Sequence, residues 1–133
     1  MTKSQKHFII VDDDALNNIL TRMILTKAFD DVLIHIFSIP EDSLEFMKSQ
    51  SNHSQPNEKI VLFLDINMPS LSAWEYLEEF NLFDTSIKEQ YEIYILSSSI
   101  DPKDINRAKD SRLVKDFIEK PLRKEILLTM FNV

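Results

Sequence analysis

The sequence predicts one α/β domain, a doubly wound parallel sheet of five strands with helices on both faces. Three observations predict it. Short apolar runs rich in β-branched residues recur five times. Helical patterns follow each of them, so strand and helix alternate. Most of the runs lack a polar alternation, as strands covered on both faces do.

The strands are expected at Phe8–Val11, Val32–Phe37, Ile60–Leu64, Ile93–Leu96 and Val114–Ile118. After the first strand, Leu16, Ile19, Leu20, Met23 and Ala28 follow the i, i+3, i+4, i+7 spacing of an amphipathic helix that turns its apolar stripe inward. Ser38 and Glu41 form a capping box for a second helix through Leu44 and Met47. Trp74, Leu77 and Phe80 mark a third. Asp101 followed by Pro102 reads as an N-cap with proline at the first helical position, opening a fourth helix with Ile105 and Ala108 inward. Pro121 to Phe131 gives the fifth. The polar stretch Ser51–Lys59 reads as a loop. Its Asn52-His53-Ser54 sequon has no meaning in a cytoplasmic protein.

Composition narrows the function. The chain has 133 residues, is 44% hydrophobic and 28% charged, and carries a formal net charge of −7. That length suits a single unit over residues 1–133. An acidic balance argues against a general nucleic-acid grip, which needs a basic face. There is no Cys, which excludes disulfides, zinc–thiolate sites and Cys nucleophiles. There is no Gly either, where average usage gives roughly nine. Phosphate-binding and dinucleotide-binding turns need Gly for close backbone approach, so both are excluded. The longest apolar run, Ile60–Leu64, is far short of the roughly 20 residues of a membrane span. A cytoplasmic protein without membrane or nucleic-acid partners is expected.

In an open α/β sheet, ligands gather beyond the carboxyl ends of the strands. The first strand runs into Asp12-Asp13-Asp14, the third into Asp65, the fourth into Ser97-Ser98-Ser99 and the fifth into Lys120-Pro121. Clustered carboxylates raise one another's pKa. A hard divalent cation removes that penalty, and oxygen ligands with several waters suit Mg²⁺. With a lysine and a hydroxyl beside it, such a site is fit to take a phosphoryl group on one Asp.

This constellation resembles the receiver domain of two-component response regulators, single-domain chemotaxis-regulator type. The matching segments are Phe8 to Asp14, Leu64-Asp-Ile-Asn-Met-Pro69, Ile95-Leu-Ser-Ser98 and Phe117-Ile-Glu-Lys-Pro121, in order and over essentially the whole chain. The resemblance implies a flavodoxin-like (βα)5 fold with strand order 2-1-3-4-5. It implies Asp65 as phospho-acceptor and Asp12 and Asp13 as the acidic pair that holds Mg²⁺, with Asp13 the direct ligand. The backbone carbonyl of Asn67 is the third protein ligand. Ser97 follows the phosphoryl group, Lys120 pairs with its oxygen, and Phe117 holds the aromatic switch position. Asn67 and Ser99 fall where this family tunes dephosphorylation. A cis peptide is expected between Lys120 and Pro121.

Three positions depart from the family pattern. Ser72-Ala73 replaces Asp-Gly, Pro40 replaces a Gly at the start of the second helix, and Asp116 replaces a Gly ahead of the switch aromatic. Where backbone needs φ > 0, a non-Gly residue costs about 1 kcal/mol or more.

Plainer readings stand beside these. Asp14 alone reads as a helix N-cap. Phe117, Trp74, Met68 and Met23 read as packing. His7, His35 and His53 are too scattered for a metal or relay site. The leading expectation is a stand-alone receiver. It is not an enzyme but is phosphorylated by a sensor histidine kinase or phosphotransfer protein. It signals to a downstream protein through the fourth helix, fifth strand and fifth helix around Arg107, Lys115 and Arg123, with no output domain after Val133, as a monomer or phosphorylation-dependent dimer. One alternative is a haloacid-dehalogenase-type phosphatase opening on Asp12-x-Asp14, against which Ala15 stands where Thr or Val is usual. A phosphate-independent adaptor on the same fold is another.

Overall fold

The structure, a computed structural model, describes residues 5–49 and 59–131. The chain runs β1 (Lys6–Val11), α1 (Ala15–Ala28), β2 (Val32–Phe37), α2 (Pro40–Ser49), β3 (Ile60–Leu64), α3 (Ala73–Asn81), α4 (Thr85–Lys88), β4 (Tyr91–Ser97), α5 (Pro102–Asp110), β5 (Val114–Glu119) and α6 (Lys124–Met130). All pairings are parallel and the sheet order is β2-β1-β3-β4-β5. This is the expected flavodoxin-like fold. The strands fall where the apolar runs lie, longer by two residues at β1, three at β4 and one at β5.

Alternate residues of each strand feed two cores. Ile9, Val11, Leu62, Leu64, Ile93 and Ile95 pack with α2, α3, α4 and α5 through Met47, Tyr76, Ile87 and Ala108. Phe8, Ile10, Val61, Phe63, Leu96 and Ile118 pack with α1 and α6 through Leu25 and Leu127. β3 is therefore buried on both faces along its length, which is why its sequence shows no alternation.

Four expectations change. A short helix, α4, adds one turn before β4, so the expected fourth and fifth helices are α5 and α6. The last helix begins at Lys124, not at Pro121. The second begins at Pro40, which supplies a preset φ at a helix start. The largest change is the rotation of α1. Its buried residues are Asn17, Asn18, Thr21 and Leu25. The periodic apolar residues face outward instead, Leu16 at 65%, Ile19 at 56%, Leu20 at 44% and Met23 at 47% exposure. Hydrogen bonds from both asparagines to Asp12 fix that rotation. Met23 is therefore not core, whereas Met68 is buried and Trp74 half-buried.

The glycine replacements need no left-handed backbone at the β3–α3 loop. Ser72, at φ −73°, caps α3 in a capping box with Glu75, and Ala73 is its first helical residue. The Ala73 N–H donates to the Ile66 carbonyl at 2.9 Å, closing the loop. In β5, Lys115 is the extra residue of a bulge between the Val114–Ile93 and Asp116–Tyr94 pairs. The Asp116 carboxylate accepts the Phe117 N–H at 2.8 Å.

The sequon, His53 and nearly all of the Ser51–Lys59 stretch lie outside the described residues. Among the described residues no helix is long and apolar enough to cross a membrane.

Candidate functional site

The site is built at the carboxyl ends of β1, β3, β4 and β5. Asp12 leaves β1 with its N–H on the Phe37 carbonyl at 3.0 Å. Its side chain is only 3% exposed. Its Oδ1 accepts the Asp14 N–H at 2.9 Å, and its Oδ2 accepts the Asn17 amide at 2.9 Å. Asp13 is exposed beside it. Asp14 caps α1 by accepting the Asn17 N–H at 3.1 Å, so the N-cap reading of Asp14 stands.

Asp65 leaves β3, its N–H donating to the Val11 carbonyl at 3.0 Å. One carboxylate oxygen from each of Asp12, Asp13 and Asp65 lies within 4.8 Å of the others. Lys120 reaches in from the end of β5. Its Nζ is 2.7 Å from Asp12 Oδ2 and 3.3 Å from Asp65 Oδ1. Its N–H donates to the Ser97 carbonyl at 2.8 Å, and its peptide bond to Pro121 is cis. Four of the residues picked from the sequence thus converge.

Electrostatics follow from this crowding. Burial first, then the Asp12 charge, pushes the Asp65 carboxyl up to about 6, and Lys120 offsets part of that rise. Burial works against the Lys120 ammonium. The hydrogen bond and charge of Asp12, followed by those of Asp65, outweigh it and hold its pKa above the ordinary lysine value. Three carboxylates against one ammonium leave the cluster with net negative charge. An oxygen-only donor set of this kind fits a hard divalent cation such as Mg²⁺.

The remaining predicted residues lie on β4, on the loop after β3 and on β5. Ser97 ends β4 and is buried. Its Oγ accepts the Ser99 N–H at 3.1 Å, which leaves the hydroxyl proton free to donate. Asn67 is exposed on the loop two residues beyond Asp65, and the same loop is tied to α2 by the Ser70 hydroxyl on Glu41 at 2.9 Å. Phe117 is half-buried in β5. It lines a cleft of about 420 Å³ with Ile100, Ile105, Ala108 and Val114.

Sequence reasoning missed two things. Asn17 and Asn18 belong to the site, and their only sequence signal is the position of Asn17 three residues after the cap Asp14. The histidines are not all scattered, since the His7 and His35 rings stand 5.1 Å apart across β1 and β2. Burial, then the His35 charge, lowers His7 to about 4. Burial lowers His35 as well.

Residues 8–132 match the response regulator receiver domain. The chain belongs to that family. Its general role is to accept a phosphoryl group in two-component signalling, and receiver domains bind Mg²⁺ at an acidic pocket. Similar solved structures carry the same fold. A two-component response regulator from Cytophaga hutchinsonii is 24% identical with a TM-score of 0.85, covering 98% of this chain and 96% of that one. A response regulator receiver protein from Dyadobacter fermentans DSM 18053 is 22% identical with a TM-score of 0.81, covering 96% and 98%. The Mn(2+)-bound form of response regulator Rcp1 is 20% identical with a TM-score of 0.70, covering 94% and 88%. No curated protein matches the chain.

Proposed function

We propose that this receiver accepts a phosphoryl group on Asp65 from the phosphohistidine of a sensor histidine kinase or phosphotransfer protein, in a Mg²⁺-dependent cytoplasmic reaction read by a protein partner. The observation that carries it is the Lys120 ammonium set between Asp12 and Asp65 inside the carboxylate cluster. An Asp65 oxygen attacks phosphorus, the P–N bond breaks with its electron pair returning to the donor imidazole, and the new P–O bond makes an acyl phosphate. Lys120 pairs with the arriving negative charge, and the free Ser97 proton donates to a phosphoryl oxygen. Asp13, Asp65 and the Asn67 carbonyl, with Asp12, would hold Mg²⁺, which when bound would neutralise charge on the transferring oxygens. The chain acts as a phospho-acceptor, and its only turnover is of its own aspartyl phosphate.

The phosphatase alternative needs Asp12 as nucleophile. Asp12 is buried, with hydrogen bonds on both carboxylate oxygens, which suits a structural anion and not an attacking one. Incubation with Mg²⁺ and acetyl phosphate, followed by mass spectrometry, tests the reading. A single phosphoryl group on Asp65 supports it, and label elsewhere or turnover of generic phosphate monoesters opposes it.

Two surfaces serve the two partners. The donor must bring its histidine to Asp65, so part of it covers the ground beside the site, where α1 begins. There Leu16, Ile19, Leu20 and Met23 stand outward. Full burial of such side chains is worth about 1.5–3 kcal/mol each, and roughly half of that gain is left until a partner covers them. For output, the α5–β5–α6 face carries the cleft beside Phe117. Arg107 on this face stacks over Trp74, 4.8 Å from its ring centre, and Lys115 pairs with Glu92 at 3.3 Å. Arg123, next to α6, is exposed.

A further inference from the structure

We propose that Asn17 is a positioning residue, one that keeps the buried Asp12 carboxylate paired and aimed while Lys120 passes from Asp12 to the phosphoryl group on Asp65. The inference rests on the receiver reading above for its last step, and on geometry alone for the rest.

In the resting site Asp12 Oδ2 has two donors, the Lys120 ammonium at 2.7 Å and the Asn17 amide at 2.9 Å. Asp12 Oδ1 is held separately by the Asp14 N–H. Lys120 has three donors on one nitrogen and no acceptor. It is shared with Asp65 at 3.3 Å, so a new anion on Asp65 competes directly with Asp12 for it. Once Lys120 turns, Asp12 Oδ2 would be left in a buried place with no donor, and an unpaired buried carboxylate is strongly disfavoured. Asn17 prevents that. Its amide is neutral, so it satisfies the oxygen without adding a charge that would compete with Lys120 for the phosphoryl group.

The placement of Asn17 is built and not incidental. It is the third residue of α1, its N–H is bonded to the cap Asp14, and its side chain reaches back to Asp12. Asn18 supports it from behind, donating to the Asp12 carbonyl at 2.9 Å. Both asparagines are more than nine-tenths buried. Two adjacent asparagines on the inward face of a helix whose Leu16, Ile19, Leu20 and Met23 point outward are an inverted pattern over its first half. The hydrogen bonds to Asp12 account for it.

The test uses the whole chain with Asn17→Leu, Lys120→Met and the double variant, in urea unfolding without metal. Leu keeps the branched shape of Asn, lacks the donor, and favours helix. The expected result is strong coupling, in which the double variant loses more in midpoint than the two single variants together, because only there is Asp12 Oδ2 left bare. Additive midpoints would make Asn17 a packing residue and overturn the proposal. The second measurement is the rate of labelling by acetyl phosphate with Mg²⁺. Asn17→Leu should lower the rate at saturating donor about tenfold and leave the half-saturating donor concentration within twofold. Asn17→Gln, which restores an amide donor at this position, should recover most of the rate. An unchanged rate in Asn17→Leu overturns the handover. Should the wild-type chain take no label at all, the receiver reading fails, while the unfolding comparison still judges the pairing of Asn17 with Asp12.

Discussion

Lys120 stands closer to Asp12 than to Asp65, 2.7 Å against 3.3 Å. The ammonium is therefore anchored on the more deeply buried carboxylate and held more loosely by the other. On the proposed reading, it is pre-placed for a phosphoryl group on Asp65 without fully neutralising that carboxylate. Burial first, and the Asp12 charge second, raise the Asp65 pKa to about 6, and Lys120 offsets only part of that rise.

Replacing the acceptor removes a charge from a crowded cluster. Asp65→Asn should take no phosphoryl label by mass spectrometry, and the fold should gain about 1 kcal/mol at neutral pH, after discounting for solvent screening. The sign follows from linkage. A carboxyl raised in the folded state holds more protons there than in the unfolded chain between about pH 4 and 6, so wild-type stability falls as pH rises through that window. The variant lacks this slope, and its advantage should vanish below about pH 4 in parallel urea titrations.

Metal dependence should follow Asp13. In an NMR titration, Mg²⁺ should move the amides of residues 12–14 and 65–67 with millimolar to submillimolar affinity, weak because several ligands are water. Asp13→Ala should weaken binding at least tenfold and stop labelling. Excess chelator should stop wild-type labelling reversibly. Unaltered affinity in Asp13→Ala would remove Asp13 from the metal site.

If the donor protein docks on the outward stripe of α1, substitutions there should separate the two classes of donor. Ile19→Asp and Leu20→Glu lie at exposed positions, where substitutions are usually within about 0.5 kcal/mol. Labelling by acetyl phosphate should be unchanged. Transfer from a histidine-phosphorylated donor protein should fall at least tenfold. Equal loss with both donors would mean that the stripe supports the fold and not the donor.

His7 gives the fold an acid-sensitive edge. Its pKa is lowered to about 4 by burial and by His35, and its Nε2 is buried without a hydrogen-bond partner. The unfolded chain, with an ordinary histidine near 6.5, binds the proton more readily. Stability should therefore be full above about pH 6.5 and decline as pH falls toward 4. His7→Phe should flatten that part of the melting-temperature profile. A profile identical to wild type would exonerate His7.

Output should pass through Phe117. Phosphorylation should shift amide resonances in residues 98–123, which contain Ser97's neighbours, α5 and β5. Phe117→Ala should leave Asp65 labelling intact and weaken the coupling of phosphorylation to partner binding. Resonances unmoved by phosphorylation across that span would rule out this route.

The sequence by itself determined the five strands, their parallel order of succession, and the charged or hydroxyl residue at the end of each strand that bears chemistry. These signals are local. A β-branched run followed by Asp, Ser or Lys carries its own direction, and a doubly wound sheet brings all such ends to one edge. The capping box Ser72–Glu75 and the one-turn helix α4 were equally local but carried little periodicity. Only the tertiary structure decided the rotation of α1, the pairing of His7 with His35 and the membership of Asn17 and Asn18 in the site. Leu16, Ile19, Leu20 and Met23 form a sound inward stripe when read along one helix. Asp12 overrules it, because a buried carboxylate demands donors at fixed directions and distances, whereas apolar burial is non-directional and can be postponed until a partner arrives. A periodicity along one helix cannot register a demand made by a residue outside that helix.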